Sequence, residues 1–150
     1  MHGLHLTADL YGCACTATLL TDAALLGAQC VQAVDDASLQ AVANLFHTFP
    51  ATSNGPGGVT ATVLLAESHL CVHTWPETAA VTLDVYVCNF GGNHSAKAHA
   101  LMAALQQLFR PERCSVNELV RGWVERASCE LIASSFKKEV VVHPFKTETC

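Results

Sequence analysis

The 150-residue sequence predicts an α+β protein, a two-layer α/β sandwich with a mainly antiparallel sheet and helices on one face. Three observations predict it. Hydrophobic residues make up 51% of the chain and charged residues 14%, which suits a single domain over residues 1–150 with one buried core rather than a disordered chain. Ala80 to Cys88 alternates cleanly, Val81, Leu83, Val85 and Val87 against Thr82, Asp84, Tyr86 and Cys88, the period of a half-buried strand. The strand-like and helix-like segments follow the order β, α, β, β, β, α, β.

Each element has its own signal. Leu4 to Tyr11 alternates loosely and reads as a first strand, ended by a turn at Gly12. Ala and Leu dominate from Thr21 to about Val34, a helix that Asp35-Asp36 ends. Leu39 to Phe49 fits a helical period about as well as a strand. Pro50 to Gly58 is a loop by its Pro, Gly, Ser and Asn content. Val59 to Ala66 is a β-branched apolar strand, broken by the polar run Glu67-Ser68-His69 and resuming from Leu70 to Thr74 until Trp75-Pro76-Glu77. Asn89 to Asn93 is a turn, and Ser95 to Phe109 a helix with Ser95 as its expected N-cap and Pro111 as its stop. Cys114 to Val120 is a further strand, and Val140-Val141-Val142 a late one.

Composition also narrows the function. The formal charge is −5, and the one local basic cluster, Lys137-Lys138, is followed at once by Glu139, so nucleic-acid binding is not expected and a small cationic substrate fits better than a polyanion. No apolar run reaches the length of a membrane span, and Met1 to His5 lacks the basic and apolar regions of a signal peptide, so a cytoplasmic protein is expected. The eight cysteines, Cys13, Cys15, Cys30, Cys71, Cys88, Cys114, Cys129 and Cys150, contain no CxxC pair and read as reduced thiols, most of them small core residues. No metal is expected.

Chemistry concentrates between Glu67 and Cys88, where a hydroxyl, two imidazoles, two carboxylates and a thiol interrupt apolar strands. Polar groups in such places cost stability unless they are partnered or used. His69 and His73 at i, i+4 would share a metal on a helix, but on an extended chain they lie about 13 Å apart. Ser68 lacks the Gly-flanked elbow of a hydrolase nucleophile. A polar strand end with satisfied histidines is the remaining reading from composition alone.

The string Glu67-Ser68-His69-Leu70-Cys71-Val72-His73-Thr74-Trp75-Pro76-Glu77, with Cys88 beyond it, is more specific. It resembles the processing and catalytic core of the small bacterial S-adenosylmethionine decarboxylases. His5-Leu6-Thr7-Ala8-Asp9-Leu10-Tyr11-Gly12-Cys13 looks like that family's opening strand, and Phe46-His47-Thr48-Phe49 like its Phe-His-x-Phe segment, which makes Leu39 to Phe49 a strand. The resemblance covers roughly residues 3–122.

The resemblance implies a self-cleaving proenzyme. Ser68 would attack the carbonyl of Glu67 to form an ester, and His73 would remove the α-proton of Ser68. The chain would part into 1–67 and 68–150, leaving Ser68 as a covalent pyruvoyl group. That step requires a held backbone and a stabilised oxyanion. Thr60 stands where relatives carry a Ser hydroxyl that assists processing, its rotamer restricted by β-branching. The pyruvoyl carbonyl would form a Schiff base with the substrate amine and accept the electrons left by CO₂. Cys88 would return a proton, a role suited to a thiol of ordinary acidity, which is mostly protonated at neutral pH. Phe49 would stack on adenine with His5 as a second partner, Glu77 would bind ribose hydroxyls, Asp9 would attract the sulfonium and Leu70 would offer backbone contacts. Product would feed polyamine, including spermidine, synthesis as an aminopropyl donor, and the family acts as symmetric homodimers with sites between subunits.

The sequence departs from the family pattern at Ala14, at Asn89 after the thiol, in a longer Pro50–Val59 loop and in a poorly matched tail over 127–150. Two alternatives stay open: the same pyruvoyl chemistry on L-ornithine or L-arginine, and a non-catalytic regulatory subunit of the same fold.

Overall fold

The computed structural model describes residues 2–53 and 55–122. Its elements are β1 (Gly3–Tyr11), α1 (Ala17–Thr21), α2 (Ala23–Asp36), β2 (Ala41–Thr48), β3 (Val59–Leu65), β4 (Ser68–Trp75), β5 (Ala80–Cys88), α3 (Ser95–Phe109) and β6 (Arg113–Arg121), with a 3₁₀ turn at Pro76–Thr78. The strands form one six-stranded sheet in the order β2-β3-β4-β5-β1-β6. Every neighbouring pair is antiparallel.

Alternation along the strands decides which side of the sheet is covered. Leu4, Leu6, Ala8 and Leu10 of β1, Val59, Ala61, Val63 and Leu65 of β3, and Val81, Leu83, Val85 and Val87 of β5 are all buried. They meet Leu26, Cys30 and Val34 of α2 and Leu101, Leu105 and Phe109 of α3 in one core. α2 lies against β2 and β3, and α3 against β1 and β5. Each fully buried Leu, Val or Phe side chain contributes about 1.5–3 kcal/mol of apolar transfer, so this face of the sheet is the source of cohesion. Among the described residues the opposite face carries no helix. Among the described residues no helix is long and apolar enough to cross a membrane.

The helices are where local chemistry adjusts the expected boundaries. The first helical region is two helices: Asp22 interrupts it, and its Oδ1 accepts the Ala24 and Leu25 N–H groups at 2.8 and 3.1 Å, capping α2. α2 runs through Asp35 and Asp36 rather than ending before them. At Gly27 a Cβ would stand 3.3 Å from the Phe46 ring, so glycine lets α2 lie close on β2. Ser95 is the first residue of α3 and not its N-cap; Asn89 and Asn93 side chains accept the His94 and Ser95 N–H groups instead, at 2.8 and 3.0 Å.

The larger correction concerns the polar run at Glu67. It does not interrupt one strand; it sits at the reversal of a hairpin, with Leu64 opposite His69 and Thr60 opposite His73. Four strands therefore lie between α2 and α3 where three were expected. Leu39 to Phe49 resolves in favour of a strand, β2. Cys13, Cys15, Cys30, Cys71 and Cys88 are free thiols, whereas Cys114 is disulfide-bonded, so the expectation of reduced thiols fails there. Burial raises the Cys13 thiol to about 11 and the Cys30 thiol to about 12, values that keep both inert. The expected strand at Val140–Val142 and the tail over 127–150 lie outside the described residues.

One buried polar group joins the two layers. Thr74 is 5% exposed; its hydroxyl donates to the Leu20 carbonyl at 2.6 Å and accepts the Val59 N–H at 2.7 Å. Replacing it by valine keeps the shape but orphans both backbone groups. We expect Thr74→Val to lower stability by about 1–3 kcal/mol, read as a lower denaturant midpoint at unchanged slope.

Candidate active site

The polar residues of the uncovered face gather at its two ends, because period-two alternation sends His69, Cys71 and His73 of β4, Tyr86 and Cys88 of β5, and His5 and Asp9 of β1 to the side away from the helices.

One end holds the Glu67-Ser68 bond. The Ala66 N–H donates to the Gln40 carbonyl at 2.9 Å and the Gln40 N–H to Glu67 Oε2 at 3.4 Å, which ties the reversal to the start of β2. The Cys88 N–H donates to the Glu67 carbonyl at 2.8 Å, polarising the carbonyl of the Glu67-Ser68 bond. Ser68 Oγ lies 3.3 Å from His69 Nδ1. Around them His5 Nε2 meets Asp84 Oδ1 at 2.9 Å, Arg121 Nη1 approaches His5 Nδ1 at 3.5 Å, and the Arg121 guanidinium sits 4.9 Å over the Tyr86 ring. His69 packs edge-on to His5 and tilted on Tyr86, with ring centroids at 6.4 and 5.6 Å. Burial, then the neighbouring His5 and Arg121, hold His69 below the ordinary histidine value, against an opposing pull from Asp84.

The other end holds His73. Its Nδ1 lies 2.9 Å from Thr60 Oγ1, across the β3–β4 ladder. Beside it opens a cavity of about 360 Å³ whose lining includes Phe49, Thr60, His73, Trp75 and Glu77. The Phe49 N–H donates to the Gly58 carbonyl at 2.9 Å, closing the loop that forms one wall. At Gly58 a Cβ would stand 2.0 Å from the Thr74 carbonyl oxygen, so only glycine permits this approach of loop to strand.

The structure thus brings Glu67, Ser68, Cys88 and His5 together at one end, and Phe49, Thr60, His73 and Glu77 at the other. Asp9 pairs with Thr82, which pairs with His73, so Asp9 belongs to the His73 end, two strands and about 10 Å away. Leu70 joins neither: its side chain is fully buried on the helix side, and its backbone lies in an interior strand between Val63 and Val85, where the ladder uses it. That position offers no backbone group to a ligand on the open face. Sequence reasoning assigned no site role to Gly58, Trp75 or the Asp84-Tyr86-Arg121 surroundings of His5; of these the Gly57-Gly58 pair and Trp75, inside the Glu67–Glu77 string, carried a local signal. Among the described residues, no group of three or more His, Cys, Asp or Glu side chains is arranged to hold a metal ion.

Fold and site together define a two-layer α+β enzyme whose His69, His73 and Cys88 stand on the open face of its sheet, with the Glu67-Ser68 bond at the reversal beside them. The S-adenosylmethionine decarboxylase family model matches residues 4–122. The S-adenosylmethionine decarboxylase proenzyme of Aquifex aeolicus is 35% identical over 126 residues, covering 84% of this chain and 85% of that protein. The corresponding proenzyme of Methanococcus maripaludis is 32% identical over 123 residues, covering 82% and 92%. The crystal structure of the adenosylmethionine decarboxylase from Aquifex aeolicus matches with a TM-score of 0.71 at 35% identity, covering 84% of this chain and 95% of that one. The chain belongs to the S-adenosylmethionine decarboxylase family.

Proposed function

We propose that this chain is a proenzyme that cuts itself between Glu67 and Ser68 into 1–67 and 68–150 and then decarboxylates S-adenosylmethionine with a pyruvoyl group made from Ser68. The observation that carries this reading is the Glu67 carbonyl, held at 2.8 Å by the Cys88 N–H on a pinned reversal, with the Ser68 hydroxyl next in sequence. Attack by Ser68 Oγ moves negative charge onto that carbonyl oxygen, where the N–H is already aimed. The donor requires no reorganisation when the charge develops.

The residues fit the group they would generate. Ser68 opens β4 and pairs with Val87, so cleavage leaves residue 68 at the end of an interior strand, anchored by the sheet. When present there, a pyruvoyl carbonyl supplies an electron sink for loss of CO₂ from an α-amino acid. Cys88 heads the adjoining strand end and stands on the open face, suited to deliver the proton that the substrate carbon needs.

Cleavage also needs a base for the Ser68 α-proton, and His73 fills that role. With Nδ1–H donating to Thr60 Oγ1, His73 presents a free Nε2 lone pair; β-branching limits Thr60 to few rotamers and so steadies the ring. Yet His73 lies five residues from Ser68 along one strand, about 16 Å. A second copy of the chain resolves this separation. Two sheets stacked through their open faces lie about 10 Å apart, and a twofold axis sets the His73 end of one copy over the Ser68 end of the other. Exposed apolar side chains on that face, among them Leu45 (68%), Leu64 (47%) and Leu119 (57%), support a symmetric homodimer.

The substrate reading follows from the cavity. Its volume of about 360 Å³ suits a small molecule, Phe49 is a half-exposed ring able to stack on a base, and the Glu77 carboxylate can accept from ribose hydroxyls. Ornithine and arginine have neither feature, so the nucleoside substrate is favoured. Asp9 and the net charge of −5 favour a cationic sulfonium. The product is an aminopropyl donor for polyamine synthesis.

The test combines intact mass with release of CO₂ from S-adenosylmethionine, ornithine and arginine in parallel. Two fragments and turnover of S-adenosylmethionine are expected. One uncut chain after prolonged incubation would instead support a regulatory subunit, and activity on the amino acids alone would reassign the substrate.

Cys88 separates the two stages. Cys88→Ala removes the thiol but keeps the backbone N–H that holds Glu67. Self-cleavage should therefore continue at the normal rate while turnover falls by about 10²–10⁴-fold. Full turnover in the cleaved variant would remove Cys88 from the mechanism.

A further inference from the structure

We propose that His69 is a further catalytic residue of self-processing, its Nδ1 taking the proton of the Ser68 hydroxyl as Oγ attacks the Glu67 carbonyl and returning it to the departing backbone nitrogen of Ser68. This rests on the self-cleavage reading above and assigns the first of its steps, which that reading leaves without a base.

The geometry points to His69 because, among the described residues, nothing else with the required chemistry stands at the hydroxyl. His69 Nδ1 is 3.3 Å from Ser68 Oγ, within reach of a hydrogen bond that tightens on attack. His73 sits about 16 Å along the same strand, and its place in the scheme is the later removal of a carbon-bound proton. The Cys88 N–H stabilises the carbonyl oxygen but can take no proton.

The surroundings of His69 keep it a base. It is half-buried between His5 of β1 and Tyr86 of β5, opposite the uncharged Leu64 of β3, with Arg121 of β6 nearby. Asp84, the one carboxylate of β5 that acts on it, is bonded to His5. Burial and the adjacent cation keep the imidazole neutral at neutral pH, and an Nε2–H tautomer leaves the Nδ1 lone pair facing Ser68.

The step balances within the chain. A bond forms between Ser68 Oγ and the Glu67 carbonyl carbon; the carbon–nitrogen bond between the two residues breaks, and its electron pair stays on nitrogen. The proton passes from Oγ to His69 and then to that nitrogen. The result is an ester and a free amine, with nothing gained or lost.

The linkage itself distinguishes this role from a packing role. Mild hydroxylamine cuts an ester at residue 68 but leaves the peptide bond there whole, so the mass of fragments 1–67 and 68–150 with and without hydroxylamine, distinct from a cut at Asn54-Gly55, reports which step has failed. We expect wild type to cleave, His73→Ala to accumulate a hydroxylamine-sensitive ester, and His69→Phe, which keeps a ring against Tyr86, to remain amide-linked with cleavage slowed by about a hundredfold or more. His69→Gln should behave as His69→Phe does, and serves if the larger ring prevents folding. In wild type the cleavage rate should fall as pH drops through a value below the ordinary histidine value of about 6.5, a limb that both His69 variants lack. Cleavage of a folded His69 variant at close to the wild-type rate, build-up of ester in it, or persistence of the acid limb, which would assign that limb to His5 or to His73, overturns the inference. A wild-type chain that never cleaves would sink the self-processing reading itself, a result distinct from each of these.

Discussion

Replacing Ser68 by alanine leaves a single full-length chain of 16.0 kDa without decarboxylase activity. Alanine has no Oγ, so no ester forms at Glu67, and an unactivated peptide bond does not hydrolyse on a useful timescale. The loss is complete rather than graded because without the ester there is no elimination, and so residue 68 never becomes the reactive carbonyl. Folding should be nearly unaffected: among the described residues the Ser68 side chain makes one hydrogen bond, with His69 at 3.3 Å, and the β4–β5 pairing at this position is made by the backbone. A stability change within about 1 kcal/mol is expected, so inactivity cannot be blamed on unfolding. Gel analysis and intact mass after long incubation decide the matter. A cut at the same bond in Ser68→Ala would mean that another group performs the chemistry.

The second large effect is a recovery. Neither Ser68→Ala nor His73→Ala should cleave alone, yet mixed dimers carrying one of each should cleave the His73→Ala chain. The reason is distance. Within one chain Ser68 and His73 are about 16 Å apart, on a sheet too stiff to fold one onto the other, so in the proposed scheme the base comes from a partner copy. In a mixed dimer one of the two sites combines an intact Ser68 with an intact His73, and the other combines both defects. Co-expression with two affinity tags isolates the mixed species, and mass analysis identifies which chain was cut. Tandem-purified mixed dimers in which the His73→Ala chain stays whole would exclude a site shared between copies.

Much of this could be read from the chain before any coordinates. The alternation of Ala80 to Cys88 defined a strand and its buried side, and both survive in β5 with Val81, Leu83, Val85 and Val87 in the core. The Ala and Leu-rich runs became α2 and α3. Misreadings came where local pattern is degenerate. Glu67-Ser68-His69 looked like an interruption because a polar run marks a turn and a functional break equally well; only pairing of Thr60 with His73 reveals the reversal. Ser95 looked like an N-cap because serine is a good one, but Asn89 and Asn93 compete for the same N–H groups and win by their position in the preceding turn. Leu70, next to His69 in sequence, is on the covered face and does not line the cavity, since neighbours on a strand point to opposite sides.

By itself the sequence determined the fold class, the bond proposed for cleavage and the side chains offered for chemistry, because those depend on residue type, periodicity and short spacing. Tertiary structure alone decided that the Cys88 N–H faces the Glu67 carbonyl, that Thr60 meets His73, and that His69 packs against His5 and Tyr86. Strand register sets those contacts, and register arises from pairing between segments distant along the chain, which no local pattern encodes.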